Sequence, residues 1–198
     1  MEREDKRRTR TRALLRDALV SLSLARGYSA LTVEDIVAEA GVGRATFYTH
    51  FPDKEKLYDH VVHSVIDDLD TRLAPVTDVN DKGFTGKPVD TLFRHAAEHA
   101  DLYRMILRGE GDGRGLRLLA DAWGDRALEV FRARADALGV TPRVDLRVVA
   151  RAWAGEQTSV LLWWLESAAP RPALDDVIET LVELSRRGRY WASGFDPE

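Results

Sequence analysis

The chain contains no cysteine, and this absence excludes disulfide bonds and thiolate metal sites. Long apolar stretches are also missing. The longest uncharged, strongly apolar run, from Gln157 to Leu165, has nine residues, whereas a membrane-spanning helix needs about 20. The N-terminal residues MEREDKRRTRTR lack the apolar segment of a signal peptide. We therefore expect a cytoplasmic protein with no membrane-spanning segment.

Acidic residues outnumber basic ones, but the two are unevenly distributed. The 198-residue chain has a formal net charge of −4. Residues 1–56 carry 11 Lys/Arg against 9 Asp/Glu, whereas residues 57–198 carry 18 against 24. The basic excess lies at the N-terminus, in Arg3, Lys6, Arg7, Arg8, Arg10 and Arg12. Such residues can pair with nucleic-acid phosphates through a salt-sensitive attraction, although a solvated basic tail is a common alternative.

Apolar residues recur at helical spacing almost throughout the chain, and no segment has the convincing alternation of a strand. The first stripe ends at Gly27, and it consists of Leu14, Leu15, Ala18, Leu19, Leu22 and Ala25. Later stripes are separated by breaks rich in glycine or proline. The pattern predicts an all-α fold of about nine helices.

Residues 32–54, with the sequence TVEDIVAEAGVGRATFYTHFPDK, carry the most specific pattern in the chain. A short amphipathic segment from Val33 to Ala40 stops at Gly41, and a second short segment runs from Arg44 to His50. The second segment offers small, hydroxyl, aromatic and cationic side chains but little apolar bulk. Two short helices joined by a tight turn with glycine are typical of the helix-turn-helix unit, whose second helix enters the DNA major groove.

The stretch from Thr11 to Val62 resembles the TetR-type family of bacterial transcriptional regulators. The resemblance rests on the first apolar stripe followed by Gly27-Tyr28, Leu31-Thr32-Val33, Ile36, Ala40-Gly41-Val42, Thr46-Phe47-Tyr48, His50-Phe51 and Lys54-Glu55-Lys56-Leu57. Two positions depart from the family pattern, because Gly43 stands where Ser is common and Val37 where Ala is common. The resemblance implies a three-helix DNA-binding head at residues 6–56 and a helical ligand-binding and dimerisation domain at residues 57–198.

The resemblance also assigns DNA contacts to nine residues of the head. They are Thr32, Gly43, Arg44, Ala45, Thr46, Tyr48, Thr49, His50 and Lys54. Their chemistry agrees, since Arg44 can bind guanine in bidentate fashion and Tyr48 can bond phosphates or base edges. Lys54, near a helix N-terminus, can clamp a phosphate. Phe47 and Phe51 are expected in the core.

Large aromatic and soft side chains are frequent after residue 57, and in the family the corresponding domain binds an inducer. Such side chains suit a roomy apolar pocket, but they are also typical of an ordinary core. The candidates for ligand contact are Phe93, Tyr103, Met105, Trp123, Phe131, Trp153, Glu156, Trp163 and Trp164. A carboxylate on an apolar stripe needs a partner. For Glu156 that partner could be a ligand, Arg147, Arg151 or a second subunit.

The last two predicted helices carry more apolar positions than one short layer can hide, and in the family the equivalent pair forms the dimer interface. Ala150, Ala154 and Ser159 are small enough for close helix approach. A homodimer presents two recognition helices to half-sites of a palindromic operator. The resemblance thus implies a repressor, without a cofactor, that a small and mainly apolar or aromatic inducer releases from double-stranded operator DNA.

One short motif favours a different class of protein. Residues 95–99, HAAEH, match the H-x-x-E-H pattern of inverted zinc peptidases. On a helix, His95 and His99 could ligate one zinc ion, with Glu98 as base. No third ligand stands at a convincing spacing, so we predict no enzyme and assign no catalytic or metal-binding residue. A zinc-dependent hydrolase and a helical ligand-binding dimer without DNA binding remain the alternatives.

Overall fold

The computed structural model describes residues 2–77, 86–190 and 194, and within these ranges the protein is helical and contains no strand. The helices are α1 (Glu2–Arg26), α2 (Val33–Ala40), α3 (Arg44–His50), α4 (Lys54–Leu73), α5 (Lys87–Glu98), α6 (Ala100–Leu107), α7 (Arg114–Leu138), α8 (Leu146–Glu166) and α9 (Leu174–Leu184). The predicted all-α fold is confirmed. Among the described helices, none is both long and apolar enough to cross a membrane.

Three shorter helical segments complete the description. A 3₁₀ turn, Tyr28–Ala30, follows α1, and another, Ala74–Val76, follows α4. A π-helical segment, Ser185–Tyr190, continues α9. The basic N-terminal residues belong to α1 itself, because this stretch holds good helix formers and no Gly or Pro before Gly27.

The chain forms two compact units whose boundary does not follow the order of the sequence. The first unit comprises the chain up to Val65 together with Asp101–Leu116. The second comprises Ile66–Ala100 and the chain from Arg117 onward. Both α4 and α7 therefore contribute residues to each unit. The boundary after residue 56 stays a sequence-based prediction, while the inclusion of 101–116 in the first unit is a feature that no local pattern indicated.

The core of the first unit is formed where α1 packs against α2 and α3. Leu15 and Leu19 of α1, Ile36 of α2, Phe47 of α3 and Leu57 of α4 are all fully buried. The helical spacing of apolar residues places them on one side of each helix, so α1, α2 and α3 can share one core.

Tyr28, in the turn after α1, joins three segments of the first unit. Its backbone N–H donates to Glu110 Oε2 at 2.7 Å, and its ring centroid lies 4.8 Å from that of Tyr58. The Lys54 ammonium lies 4.4 Å from the Tyr28 ring centroid and donates to the carbonyls of Tyr28 (3.2 Å) and Leu31 (2.8 Å). The Tyr58 hydroxyl donates to the Glu110 carbonyl at 3.2 Å. Burial raises the pKa of Tyr58 to about 12, so this hydroxyl stays protonated as a donor.

Glycines allow the segment after α6 to approach these tyrosines. A Cβ atom at Gly111 would lie 3.2 Å from the Tyr28 ring, and Gly111 also has a left-handed backbone, with φ of 65°. A Cβ atom at Gly115 would overlap the Tyr58 hydroxyl. The glycine-rich stretch is therefore packed against the head and is not a free surface loop.

The second unit is built on contacts of α5 with α8 and α9. Phe93 of α5 and Leu161 of α8 are fully buried, and Leu181 of α9 is 2% exposed. An ion pair between Arg94 and Asp175, with N···O of 2.7 Å, connects α5 to the start of α9 on the surface. The apolar contacts carry most of the stabilisation, because exposed ion pairs contribute little.

Replacing Lys54 tests the importance of the Tyr28 contacts. Lys54→Ala removes two hydrogen bonds to carbonyls and one cation–π contact, and we expect unfolding free energy to fall by about 2 kcal/mol. Lys56→Ala is the matched control, since this more exposed ammonium pairs only with Asp59, at 3.4 Å. Urea denaturation of both variants measures the difference. Equal losses would contradict a structural role for Lys54.

Candidate nucleic-acid interface

The first helix of the helix-turn-helix unit, α2, begins with a reciprocal capping box. Thr32 Oγ1 accepts from the Asp35 N–H at 3.2 Å, and the Thr32 N–H donates to Asp35 Oδ2 at 2.9 Å. The Thr32 hydroxyl also donates to Asp35 Oδ2 at 2.7 Å, and this bond, followed by that from the Thr32 N–H, holds the pKa of Asp35 below its usual value. Thr32 remains exposed, so its capping role is compatible with the predicted DNA contact.

The turn between α2 and α3 depends on a left-handed glycine. Gly41 has φ of 63°, and its N–H donates to Ala38 O at 3.3 Å, while the Val42 N–H donates to Val37 O at 3.1 Å. These bonds close the end of α2. Gly43 then occupies the N-cap of α3 without any side-chain hydrogen bond. The departure from Ser at this position therefore leaves the cap of α3 to the backbone alone.

The second helix, α3, separates its side chains cleanly into a buried and an exposed set. Phe47 is fully buried, and its ring centroid lies 6.1 Å from that of Phe51, which is 5% exposed. The predicted core role of both is confirmed. The exposed residues at and after the N-cap are Gly43, Arg44, Ala45, Thr46, Tyr48 and Thr49. They are small, hydroxyl-bearing, aromatic or cationic, which suits a surface that enters a DNA groove.

Arg44 is held by an acidic neighbour on α2. Its guanidinium lies 2.6 Å from Glu34 Oε1, and both side chains are more than half exposed. The guanidinium carbon also lies 5.8 Å from the Tyr48 ring centroid. The Tyr48 side chain and the Glu34 carboxylate raise the pKa of Arg44, which stays cationic. Glu34 was not among the predicted site residues, because its position in the first turn of α2 does not indicate contact with α3.

His50 lies at the edge of the exposed surface. Its side chain is half-buried, and Nδ1 finds no hydrogen-bond partner among the described residues. Burial is the main cause that lowers the pKa of His50, and the nearby positive charges of Arg12 and Arg8 lower it further. The imidazole is therefore neutral at neutral pH. The same charges show that basic residues of α1 lie close to the end of α3.

Lys54 has a structural position that the sequence did not indicate. Two of its ammonium protons are directed at the carbonyls of Tyr28 and Leu31, and its charge lies over the Tyr28 ring. The residue is half-buried. A phosphate contact by Lys54 stays a prediction. Its ammonium would have to make this contact while it also donates to the carbonyls of Tyr28 and Leu31.

The nine residues predicted to contact a ligand do not share one environment. Tyr103 and Met105 are fully buried in the first unit, whereas Phe93, Trp123 and Trp164 are buried in the second. Phe131, Trp153 and Glu156 are half-buried. Trp163 is 55% exposed and borders a shallow, open depression with Glu166 and Pro170, so it lies on the surface of the chain and not in an interior pocket.

Glu156 does not obtain its partner from the arginines proposed for it. Arg147 binds Asp145 at 2.6 Å, and Arg151 binds acidic residues of α7, at 2.9 Å to Asp121 and 2.8 Å to Asp125. Gln157, its neighbour in sequence, donates from Nε2 to Glu156 Oε2 at 3.1 Å. Both arginines are thus engaged elsewhere.

The H-x-x-E-H motif lacks a free base. Glu98 pairs with Arg72 at 2.6 Å, and this contact lowers the pKa of Glu98. A carboxylate with a lowered pKa that is bound to a guanidinium is a weak proton acceptor. The arrangement disfavours the zinc-hydrolase alternative.

Comparison with known sequences agrees with the geometry of the head. Residues 15–61 match the sequence profile of "Bacterial regulatory proteins, tetR family". Nucleoid occlusion factor SlmA of Pectobacterium carotovorum is 31% identical over 72 residues, which cover 36% of this chain and 36% of SlmA. The match thus spans about a third of the length of this curated relative.

Solved structures extend the similarity to nearly the whole chain. A Syntrophomonas wolfei protein assigned to the TetR family of transcriptional regulators superposes with a TM-score of 0.78 at 17% identity, covering 92% of this chain and 94% of that one. Thermus thermophilus FadR, a TetR-family repressor solved with lauroyl-CoA, gives a TM-score of 0.59 at 20% identity, covering 89% and 94%. At these identities the likeness shows the fold.

The structure is that of a helix-turn-helix protein whose second compact unit is also helical within the described residues. Residues 15–61 match the tetR family of bacterial regulatory proteins, and the fold is similar to that of the TetR-family structure from Syntrophomonas wolfei.

Adjacent residues of α3 should respond differently to truncation. Phe47→Ala removes a fully buried ring and should cost about 3–5 kcal/mol of unfolding free energy. Tyr48→Ala removes a ring that is 46% exposed and should change stability by about 0.5 kcal/mol or less. Urea denaturation compares the two variants. A large loss for Tyr48→Ala would show that this side chain is part of the core.

Proposed function

We propose that the protein is a DNA-binding transcriptional regulator whose α3 reads the major groove. The observation that carries the proposal is the division of α3, in which buried Phe47 fixes the helix while the surrounding small and polar residues stay exposed. A helix anchored on one side and free on the other can enter a groove without rearrangement. Such a protein would act in the cytoplasm, where the chromosome lies.

In this proposal the exposed side chains of α3 have different roles. Arg44 reaches guanine O6 and N7, and Ala45 permits close approach to a thymine methyl group. Tyr48 contacts a phosphate or a base edge. Thr49 donates its hydroxyl to Ala45 O at 2.9 Å, which leaves its oxygen lone pairs free to accept from DNA. The basic residues at the start of α1 add the salt-sensitive attraction to phosphates.

An exposed stripe on α8 supports homodimerisation. Val148, Ala152, Gly155, Ser159 and Trp163 share one helix face and are all exposed, with Val148 at 66% and Trp163 at 55%. Small residues in the middle of this stripe would let a second α8 approach closely. Large apolar side chains at its two ends would be removed from water by the same contact.

The small residues of this stripe differ from those predicted. Ala150 and Ala154 are buried within the protomer, and only Ser159 of the predicted three lies on the exposed face. The residues available for contact with a second copy are therefore Ala152, Gly155 and Ser159. A two-fold dimer would place two copies of α3 on half-sites of a palindromic operator.

Ligand control of DNA binding is the finer part of the proposal. Gln157 of α8 is fully buried, and its Oε1 finds no hydrogen-bond partner among the described residues. An unsatisfied buried oxygen near half-buried Trp153 suits a mainly apolar or aromatic ligand with one donor group. Thermus thermophilus FadR, a structural neighbour, was solved with lauroyl-CoA.

We infer that the protein represses transcription and that such a ligand relieves the repression. Added acyl-CoA or aromatic compounds should therefore lower the measured affinity for the operator. Unchanged operator affinity with ligand bound would contradict this coupling.

A double-mutant cycle on Arg44 and Glu34 tests the DNA-reading surface. DNA bound by the wild-type protein is first selected from a random duplex pool, and affinities are then measured by fluorescence anisotropy. Arg44→Ala should weaken operator binding by about tenfold to a hundredfold and relax the preference for one guanine. Glu34→Gln should strengthen binding, because it frees the guanidinium and removes a carboxylate close to phosphates.

The cycle also contains its controls. Glu34→Gln should have a smaller effect when Arg44 is already alanine, since their contact has then gone. Arg94→Ala removes a comparably exposed, ion-paired arginine from the second unit and should leave DNA affinity unchanged. Full operator affinity of Arg44→Ala would contradict the assignment of α3 as the reading helix.

Gly155→Arg tests the proposed dimer face. A Cβ atom at Gly155 meets nothing within 4 Å, so the substitution should not disturb the protomer. We expect the variant to keep its helical circular dichroism and to sediment as a monomer, whereas the wild type sediments as a dimer. Ala133→Arg adds the same charge at an exposed position of α7 and should remain dimeric. A dimeric Gly155→Arg protein would place the interface elsewhere.

A further inference from the structure

We propose that Asp68, His95 and His99 form a binding site for a divalent transition-metal ion of the zinc class. The site lies within the second unit and uses the two histidines of the H-x-x-E-H motif, but it takes a third ligand that the sequence did not reveal. It is independent of DNA binding, so either proposal can fail without the other.

The three side chains meet around one small volume. Asp68 lies on α4, His95 on the last turn of α5, and His99 at the end of that helix. His95 Nε2 lies 2.8 Å from Asp68 Oδ2, and His99 Nε2 lies 3.8 Å from the same oxygen. One ligand atom from each residue falls within 4.8 Å of the others. Zinc binds nitrogen and oxygen at about 2.0–2.2 Å, so its tetrahedral ligands stand about 3.3 Å apart. Small side-chain rotations would close the site.

The contact between His95 and Asp68 is compatible with metal ligation. His95 is 1% exposed, and its Nε2 lies within hydrogen-bond distance of Asp68 Oδ2, at 2.8 Å. Metal binding at His95 Nε2 would place the ring proton on Nδ1 and replace this hydrogen bond with two bonds to the ion.

His99 gives an independent sign of a missing ligand. Its Nε2 is buried and finds no hydrogen-bond partner within the described part of the chain. This nitrogen lies 3.8 Å from Asp68 Oδ2, and the ring centroids of His95 and His99 are 4.7 Å apart, so it belongs to the same cluster. Buried polar atoms in proteins are normally satisfied. A cation bound beside Asp68 would satisfy this one.

The surrounding charges favour a cation. Arg72 lies 3.5 Å from Asp68 Oδ2, but its closer partner is Glu98 at 2.6 Å. Two carboxylates, those of Asp68 and Glu98, thus face the one guanidinium of Arg72. Because Arg72 occupies Glu98, this carboxylate is neither a metal ligand nor a base. The arrangement therefore supports binding and not hydrolysis.

The donor set selects the kind of metal. Two imidazoles and one carboxylate suit Zn²⁺, Co²⁺ and Ni²⁺, whereas Mg²⁺ and Ca²⁺ prefer oxygen ligands alone. Three protein ligands leave at least one position for water, so the ion should exchange with solution. Bound metal would connect α4 to the end of α5 and stabilise the folded protein by mass action.

Metal titration of the full-length protein tests the site. After treatment with a chelator, the protein is titrated with Co²⁺ and followed by its visible d–d absorption, and Zn²⁺ binding is measured by calorimetry. We expect one ion per chain, intense absorption typical of a low coordination number, and a higher melting temperature with Zn²⁺. Mg²⁺ should produce none of these changes.

Variants separate this site from adventitious binding. Asp68→Asn and His99→Ala should each weaken Zn²⁺ binding at least tenfold, and both positions are exposed enough for the fold to tolerate the change. His63→Ala is the control, because His63 is exposed and bonds only the carbonyl of Asp59 on its own helix. Undiminished Zn²⁺ affinity in both variants, an equal loss in His63→Ala, or no binding by the wild type would overturn the proposal.

Discussion

The position of α3, the second helix of the helix-turn-helix unit, depends on how Tyr28 is held. α3 lies between α2 and α4, so its two ends are fixed by where those helices begin. Lys54, the first residue of α4, binds the carbonyls of Tyr28 and Leu31, just before the cap of α2. Glu110 binds the Tyr28 amide from a distant part of the sequence. The Lys54 ammonium and the Glu110 carboxylate thus fix the position of Tyr28 and of the segments next to α3, whose Phe47 is buried.

Local signals in the sequence were sufficient for much of the head. Glycine at position 41, the Thr32 cap and the spacing of Phe47 and Phe51 each act over a few residues, and the structure has all of them as predicted. The number of helices follows from the same kind of signal. Contacts over long sequence distances could not be predicted. Nothing near Glu110 indicates that it binds Tyr28, and nothing near Asp68 indicates that it meets His95.

The second unit shows why composition is a poor guide to a ligand site. Trp163 and Trp164 are adjacent and chemically identical, yet one is exposed and the other donates its indole N–H to Pro172 O at 3.0 Å from a buried position. A difference of one residue turns a helical side chain by about 100°, so small errors in helix phase exchange surface for core. The aromatic richness of the unit was visible in the sequence, but its distribution required the packing of α5, α8 and α9.

If Arg44 reads DNA as proposed, its contact with Glu34 has a consequence for discrimination among DNA sequences. The carboxylate already satisfies the guanidinium, so any duplex must offer more than this anion does before Arg44 leaves it. A lone phosphate replaces one negative oxygen with another and gains little. A guanine edge offers two acceptors in a plane that matches the guanidinium. On a duplex without a guanine in register, Arg44 would stay with Glu34 and add little to binding, so the guanidinium would contribute mainly at a matched site.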